Sequence, residues 1–74
     1  MLPAVVRMNY NLGQALLLAG RSQESVIYLY NAAKLDPRHA SAYYLLAIAC
    51  ADQGKVDEGV RFYSRAVELQ PAVD

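Results

Sequence analysis

The sequence predicts an all-α fold in which two helical hairpins stack on one another. The first observation behind this prediction is that most residues around Pro37 recur around Pro71 at one constant interval. The second is that apolar residues within each unit fall at steps of three and four, which is the period of an amphipathic helix. A fixed repeat of about 34 residues is typical of arrays whose units bury apolar faces against each other. The recurring pairs are Tyr10 and Tyr44, Leu12 and Leu46, Ala15 and Ala49, Gly20 and Gly54, Glu24 and Glu58, Val26 and Val60, Ala32 and Ala66, and Leu35 and Leu69.

The first unit reads as two helices joined by a glycine. The apolar pattern predicts a helix over residues 4–19, and Gly20 is expected to end it because glycine adopts the left-handed cap conformation without a Cβ penalty. A second helix is predicted to follow at once, with Ser22 as its N-cap, and to run to Leu35. Asp36 and Pro37 are expected to form a tight turn, since aspartate favours its first position and proline its second.

The second unit repeats this scheme. Helices are predicted over residues 40–53 and 56–69, with Gly54 between them and Pro71 closing the unit. Sustained alternation of apolar and polar residues, which would predict strands, does not occur. The chain is therefore expected to form a single domain over residues 1–74, with repeat one at 6–39 and repeat two at 40–73.

Composition restricts the classes of partner. Seven basic residues balance seven acidic ones, so the chain has no net field that would hold nucleic acid or an anionic membrane surface. No apolar run approaches the ~20 residues that cross a bilayer, and the first residues lack the pattern of a signal peptide. We therefore expect neither nucleic acid nor membrane as a partner, and the lone Cys50 gives only a weak indication of a cytoplasmic location.

The motifs within the two units resemble the tetratricopeptide repeat over residues 6–73. In the first unit the matching positions are Asn11-Leu12-Gly13, Leu16, Ser25, Leu29, Ala32 and Leu35-Asp36-Pro37; in the second they are Tyr43, Leu46-Ala47, Cys50, Gly59, Tyr63, Ala66 and Leu69-Gln70-Pro71. The resemblance implies a short right-handed solenoid of antiparallel helix pairs that acts in protein–protein interaction. One departure is Asn9, which stands where the family often has an aromatic residue such as Tyr43. This suggests that the edge of the first unit packs differently, or against something missing.

The resemblance also implies a binding site, because in this family the first helix of each unit lines a concave groove. The residues expected to bind a partner are Tyr10, Gln14, Leu17, Leu18, Tyr44, Leu45 and Ile48, with Asn11, Ala51 and Asp52 beside them. Most are apolar or aromatic, which favours an apolar peptide or an amphipathic helix as the ligand. Some family members bind the C-terminal carboxylate of a partner through basic and polar residues in the groove. Tyr10 and Ile48 occupy positions where that arrangement requires basic or polar groups, so this binding mode is not expected here. The same apolar stripe is equally compatible with contact to a missing neighbour or to a second copy of the chain.

Two units are fewer than the ~3 that such arrays usually need to bury a continuous core. Both ends are therefore expected to expose apolar surface and to promote self-association. Pro3 precedes Pro37 by the same interval that separates Pro37 from Pro71, so the phase of the repeat can continue upstream. This leaves two alternatives to a binding module: a purely structural oligomerisation or scaffold segment from a longer array, and a regulatory segment of a larger enzyme.

The remaining candidates have simpler interpretations. Ile27 and Tyr30 lie toward the outer face, where they indicate either a dimer contact or scattered surface apolarity. Cys50 is expected in the core, and His39 is expected to be a solvated loop residue without a metal. The carboxylates are spread over turns and polar faces, and no phosphate loop or activated nucleophile appears, so the sequence predicts no enzyme activity and no cofactor.

Overall fold

The structure is a computed structural model that describes residues 3–70, which form four helices and no strand. The helices are α1 (Ala4–Leu18), α2 (Ser22–Leu35), α3 (Ala40–Asp52) and α4 (Val56–Leu69). The all-α fold of two helical hairpins is confirmed. α1 and α3 each end one residue before the predicted boundary. Met1, Pro71 and the predicted end of repeat two at residue 73 lie outside the described residues.

Each hairpin turns through a glycine in the left-handed conformation. Gly20 has φ of 81° and Gly54 has φ of 77°, as the sequence predicts. In the first turn the Gly20 N–H donates to the Leu17 carbonyl at 3.0 Å, and the Arg21 N–H donates to the Leu16 carbonyl at 2.9 Å. This pair of bonds is the Schellman motif, and the second turn repeats it around Gly54. The two hairpins therefore share one turn geometry.

The predicted N-cap of α2 is wrong by one residue. Arg21, rather than Ser22, is the N-cap, and no side chain caps this helix end. The Schellman turn places the Arg21 carbonyl where it accepts a hydrogen bond from the Ser25 N–H at 3.0 Å, so α2 begins directly after Arg21. Ser22 lies inside the helix, and its carbonyl accepts a bond from the Ser25 hydroxyl at 2.7 Å.

The turn between the hairpins forms as predicted, but His39 has a different role from the expected one. The His39 N–H donates to the Asp36 carbonyl at 3.0 Å, which closes the turn around Pro37. The sequence predicts a solvated loop residue at His39; instead this residue is half-buried, and its imidazole Nδ1 accepts a hydrogen bond from the Ala42 N–H at 3.1 Å. The prediction is wrong because the turn ends at His39, so this residue becomes the N-cap of α3.

Small residues allow the two helices of each hairpin to approach closely. A Cβ atom added to Gly13 would lie 2.6 Å from Cγ of Leu29, and one added to Gly59 would lie 3.2 Å from the carbonyl oxygen of Ala47. Both glycines are buried. The proximity of α1 to α2 and of α3 to α4 thus depends on the absence of side-chain bulk at these positions.

One buried cluster joins the two hairpins. Besides its partner helix α4, α3 packs against α2 of the first hairpin and touches α1 only slightly. Leu29 of α2 and Leu46 of α3 are both completely buried at this junction. The cluster consists of Val6, Leu29, Ala32 and Ala33 from the first hairpin and Ala42 and Leu46 from the second. The chain therefore has a core that runs through the junction as well as through each hairpin.

We expect Gly13→Ala to lower the free energy of unfolding by about 1 kcal/mol. Overpacking a filled core costs about 1–3 kcal/mol, and the better helix propensity of alanine recovers no more than about 1 kcal/mol. Chemical denaturation of the purified chain measures the difference. Gln14→Ala, at an exposed position of the same helix, serves as the control and should change stability by less than about 0.5 kcal/mol. A Gly13→Ala variant as stable as the control would contradict the close approach of α1 to Leu29.

Candidate functional site

An exposed apolar surface covers one side of the second hairpin. It surrounds an open pocket of about 370 Å³ between α3 and α4. The buried members of the lining, Ala47 and Gly59, form its floor, and the exposed members stand at its rim. We call this surface the α3–α4 face, defined by Tyr44, Ala47, Ile48, Ala51, Val56, Gly59, Val60 and Tyr63.

The α3–α4 face carries no charged side chain among these eight residues, and its two aromatic residues form a pair. The rings of Tyr44 and Tyr63 lie 5.9 Å apart at an angle of 47°. Such a tilted pair joins α3 to α4 while leaving part of each ring open to contact. The face can therefore recognise a ligand through apolar and aromatic contact, with the tyrosine hydroxyls as its side-chain hydrogen-bonding groups.

The same surface exists in the first hairpin, where a helix occupies it. The interval between the two units relates Val60 to Val26 and Tyr63 to Leu29. Leu29 is 0% exposed because it packs against Gly13 of α1 and also lies in the cluster with α3, whereas Tyr63 is 51% exposed. The α3–α4 face is thus the equivalent of a surface on which the protein already holds a helix.

Two of the seven residues predicted to bind a partner lie on this face, namely Tyr44 and Ile48. Tyr10 and Leu45 are half-buried and pack against the core cluster at the junction. The Tyr10 ring also lies 4.7 Å from the ring of His39, so it supports the start of α3. These two residues therefore have a structural contact that the groove interpretation does not include.

The other three predicted residues belong to α1 and do not line the α3–α4 face. Gln14 and Leu18 are exposed, and Leu17 is half-buried. Their part in a concave groove stays a prediction.

The prediction from sequence missed the contribution of α4. Val56, Val60 and Tyr63 form much of the rim, but the family resemblance assigns the groove to the first helix of each unit. The correspondence between the units contains a usable signal, because Val60 and Tyr63 match Val26 and Leu29 of the first unit. That correspondence points to a surface only once it is known that α3 covers Leu29, which the structure shows.

A second apolar surface lies on the first hairpin. It surrounds a pocket of about 470 Å³ and includes the well-exposed side chains of Val5, Met8 and Leu12. The Asn9 side chain, which departs from the family pattern, donates to the Val5 carbonyl at 2.8 Å on this surface. We call it the α1–α2 face, defined by Val5, Met8, Asn9, Asn11, Leu12 and Tyr28. The expectation that apolar surface is exposed on both sides of the stack is confirmed.

The remaining candidate residues have structural explanations or stay open. Cys50 is a buried free cysteine, as predicted. Ile27 and Tyr30 are both exposed, which distinguishes neither of the two interpretations given to them. Within residues 3–70, no group of three or more His, Cys, Asp or Glu side chains could hold a metal ion.

Burial raises the pKa of the Cys50 thiol, and the negative charge of Glu58 adds to this while Lys55 opposes it. A raised pKa means that the thiol stays protonated in the folded chain at a pH where it would ionise in the unfolded chain. Its contribution to stability is complete below the unfolded value and decreases as the pH rises through the folded value.

Comparison with known families agrees with this architecture. A tetratricopeptide repeat model matches residues 31–74, and a second tetratricopeptide repeat model matches residues 6–39. The chain belongs to the tetratricopeptide repeat family. Repeats of this family are in general non-catalytic modules for protein–protein interaction. A search of curated proteins finds no significant match to the sequence. In the part of the chain that the structure describes, none of the helices has the length and apolar character that a membrane span requires.

We expect His39→Ala to lower the free energy of unfolding by about 1–2 kcal/mol, because it removes both the N-cap of α3 and the ring contact with Tyr10. His39→Asn keeps a capping side chain and removes only the ring contact, so its loss should be about half as large. Thermal unfolding followed by circular dichroism gives both values. Equal losses in the two variants would show that the imidazole does not cap the helix.

We expect the stability advantage of the native chain over a Cys50→Ala variant to shrink as the pH rises above the unfolded thiol pKa of about 8.5. The unfolded thiol ionises there while the buried one resists ionisation, which favours the unfolded chain. Denaturant unfolding of both proteins at a series of pH values between neutral and alkaline measures the difference. A difference that is constant over this range would contradict the burial of the thiol.

Proposed function

We propose that the chain is a protein–protein interaction module that binds an apolar or amphipathic helix on the α3–α4 face. The observation that carries this proposal is the equivalence of the face with the surface that holds α3 in the first hairpin. The general role of the family in protein interaction supports the class of partner. Tyr44 and Ile48 connect the face with the groove predicted from the sequence.

The chemistry of the face indicates what kind of helix fits. Its floor of Ala47 and Gly59 is shallow, so a ligand helix can come close if it presents small residues there. At the junction in the first hairpin, α3 contributes one small and one large apolar residue, Ala42 and Leu46, to the buried cluster. Completing the burial of the half-exposed Val60 and Tyr63 would contribute about 1 kcal/mol each. A partner helix with alternating small and large apolar residues along one stripe is the best match.

We also propose that the chain has no catalytic role of its own. The α3–α4 face, as defined by its eight residues, contains no ionisable side chain other than its two tyrosines, so it offers no general base or charged group to a substrate.

A purely structural role, in which the chain associates with itself or extends a scaffold, is the second candidate. The exposed α1–α2 face favours it, because apolar surface is then available on both sides of the stack. The two candidates differ in what a polar substitution on the α3–α4 face changes. A binding module loses affinity for a helical ligand, whereas a structural segment loses its oligomeric state.

We expect a labelled peptide of residues 36–55, with Cys50 replaced by alanine, to bind the full chain, because α3 occupies the equivalent surface of the first hairpin. Tyr44→Gln and Val60→Lys should each weaken binding by roughly tenfold or more, since both place a polar group in an apolar contact. Fluorescence anisotropy gives the dissociation constants.

Ile27→Lys is the matched control for the binding test. Ile27 and Val60 are each 58% exposed, but Ile27 is not part of the α3–α4 face. The control should bind the peptide as the native chain does. The proposal fails if the peptide does not bind, or if Ile27→Lys weakens binding as much as Val60→Lys.

A further inference from the structure

We propose that the α3–α4 face of one molecule binds the α1–α2 face of a second copy, so that the chain assembles head to tail. This inference rests on the proposed function, since it names a partner for the same face. Each face contains residues that correspond, one repeat unit away along the sequence, to residues on one side of the junction between the hairpins.

The first half of this correspondence is the surface that receives a helix. In the internal junction Leu29 lies under α3, and its counterpart Tyr63 is open on the α3–α4 face. A helix that covers the α3–α4 face must therefore contribute apolar side chains equivalent to Ala42 and Leu46, which α3 contributes at the internal junction.

The second half of this correspondence is the surface that α3 places against the first hairpin. Ala42 and Leu46 are 0% exposed, while their counterparts Met8 and Leu12 are 68% and 44% exposed. Both counterparts lie on the α1–α2 face. Each molecule therefore carries an open equivalent of both sides of its own internal junction, which is why a second copy is the partner that these surfaces fit.

The presented surface is not identical to that of α3, and the differences set the strength of the contact. Met8 is larger than Ala42, but methionine is flexible and its thioether makes favourable contacts with aromatic rings such as those of Tyr44 and Tyr63. Asn9 and Asn11 replace Tyr43 and Leu45, so the pairing buries less apolar surface than the internal junction does. We therefore expect a reversible association that is weaker than the packing of the hairpins within one molecule.

Charge does not oppose this contact. No charged side chain is among the residues that define either face, and the chain has seven basic and seven acidic residues. Two copies can approach without net repulsion, and salt should have little effect on the association.

A head-to-tail contact joins two different surfaces, so each added molecule leaves one face of each kind open. Such a heterologous contact produces open chains unless the rotation between copies closes a ring. The average mass should therefore rise with concentration and should not stop at a dimer.

The test uses Met8→Lys, Val60→Lys and the control Ile27→Lys in the full chain, with circular dichroism to confirm that each variant is folded. All three positions are exposed, so the helices should tolerate lysine. Sedimentation equilibrium of the native chain and of Ile27→Lys should show mass rising with concentration, because Ile27 lies on neither face. Association that Ile27→Lys abolishes would instead indicate a dimer contact on the outer face and would overturn the inference. Met8→Lys and Val60→Lys should each raise the dissociation constant at least about tenfold, because a lysine ammonium would be buried without a partner.

An equimolar mixture of Met8→Lys and Val60→Lys is the decisive sample. Met8→Lys keeps its α3–α4 face and Val60→Lys keeps its α1–α2 face, so the two proteins should form a one-to-one dimer that does not grow. A native chain that is monomeric at all concentrations would overturn the inference. So would association that Val60→Lys abolishes and Met8→Lys leaves intact, because that result indicates a symmetric contact between two α3–α4 faces.

The peptide of residues 36–55 separates this inference from the proposed function. Met8→Lys should still bind the peptide, since its α3–α4 face is unchanged. A monomeric native chain that binds the peptide through Val60 would overturn only the head-to-tail assembly. A chain that assembles through Met8 and Val60 but does not bind the peptide would overturn only the recognition of a helical partner.

Discussion

The packing of Leu29 is the contact on which the arrangement of the chain depends. Within the first hairpin it lies so close to Gly13 that no side chain fits between the two helices. On its other side it belongs to the buried cluster that contains Ala42 and Leu46 of α3. One side chain thus connects α1, α2 and α3. A hairpin of two helices can bury only the surfaces that face each other, and the second surface of α2 is buried because α3 lies across it.

At the corresponding position of the second hairpin, no helix among the described residues covers the side chain. Tyr63 pairs with Tyr44 across α3 and α4 but remains half-exposed, and the residues around it form an apolar face without charge. The positions that stack α3 on the first hairpin are therefore the same positions that form an exposed apolar face in the second hairpin.

Local rules predicted the helices and turns well. Gly20, Gly54 and the Asp36–Pro37 pair determine their turns through backbone conformation, which the sequence specifies directly. His39 could not be placed in the same way, because its role as N-cap depends on where the preceding turn ends. The contribution of Val60 and Tyr63 depends on packing between repeats, so no pattern within α4 alone reveals it. Two of the seven residues predicted to bind a partner lie on the α3–α4 face, two others pack against the core cluster, and the role of the remaining three stays a prediction.

The shared geometry of the two hairpin turns has a consequence for how the chain folds. Each Schellman turn reverses the backbone over a few residues, so α1 can meet α2, and α3 can meet α4, through contacts that are near in sequence. Chains dominated by such short-range contacts lose little entropy in closing their loops, and they fold rapidly. Either hairpin can form first and act as the nucleus on which the other condenses. A first hairpin that formed before the second docked would leave the α3-facing side of Leu29 in water, so the burial of this one side chain couples the folding of the two repeats.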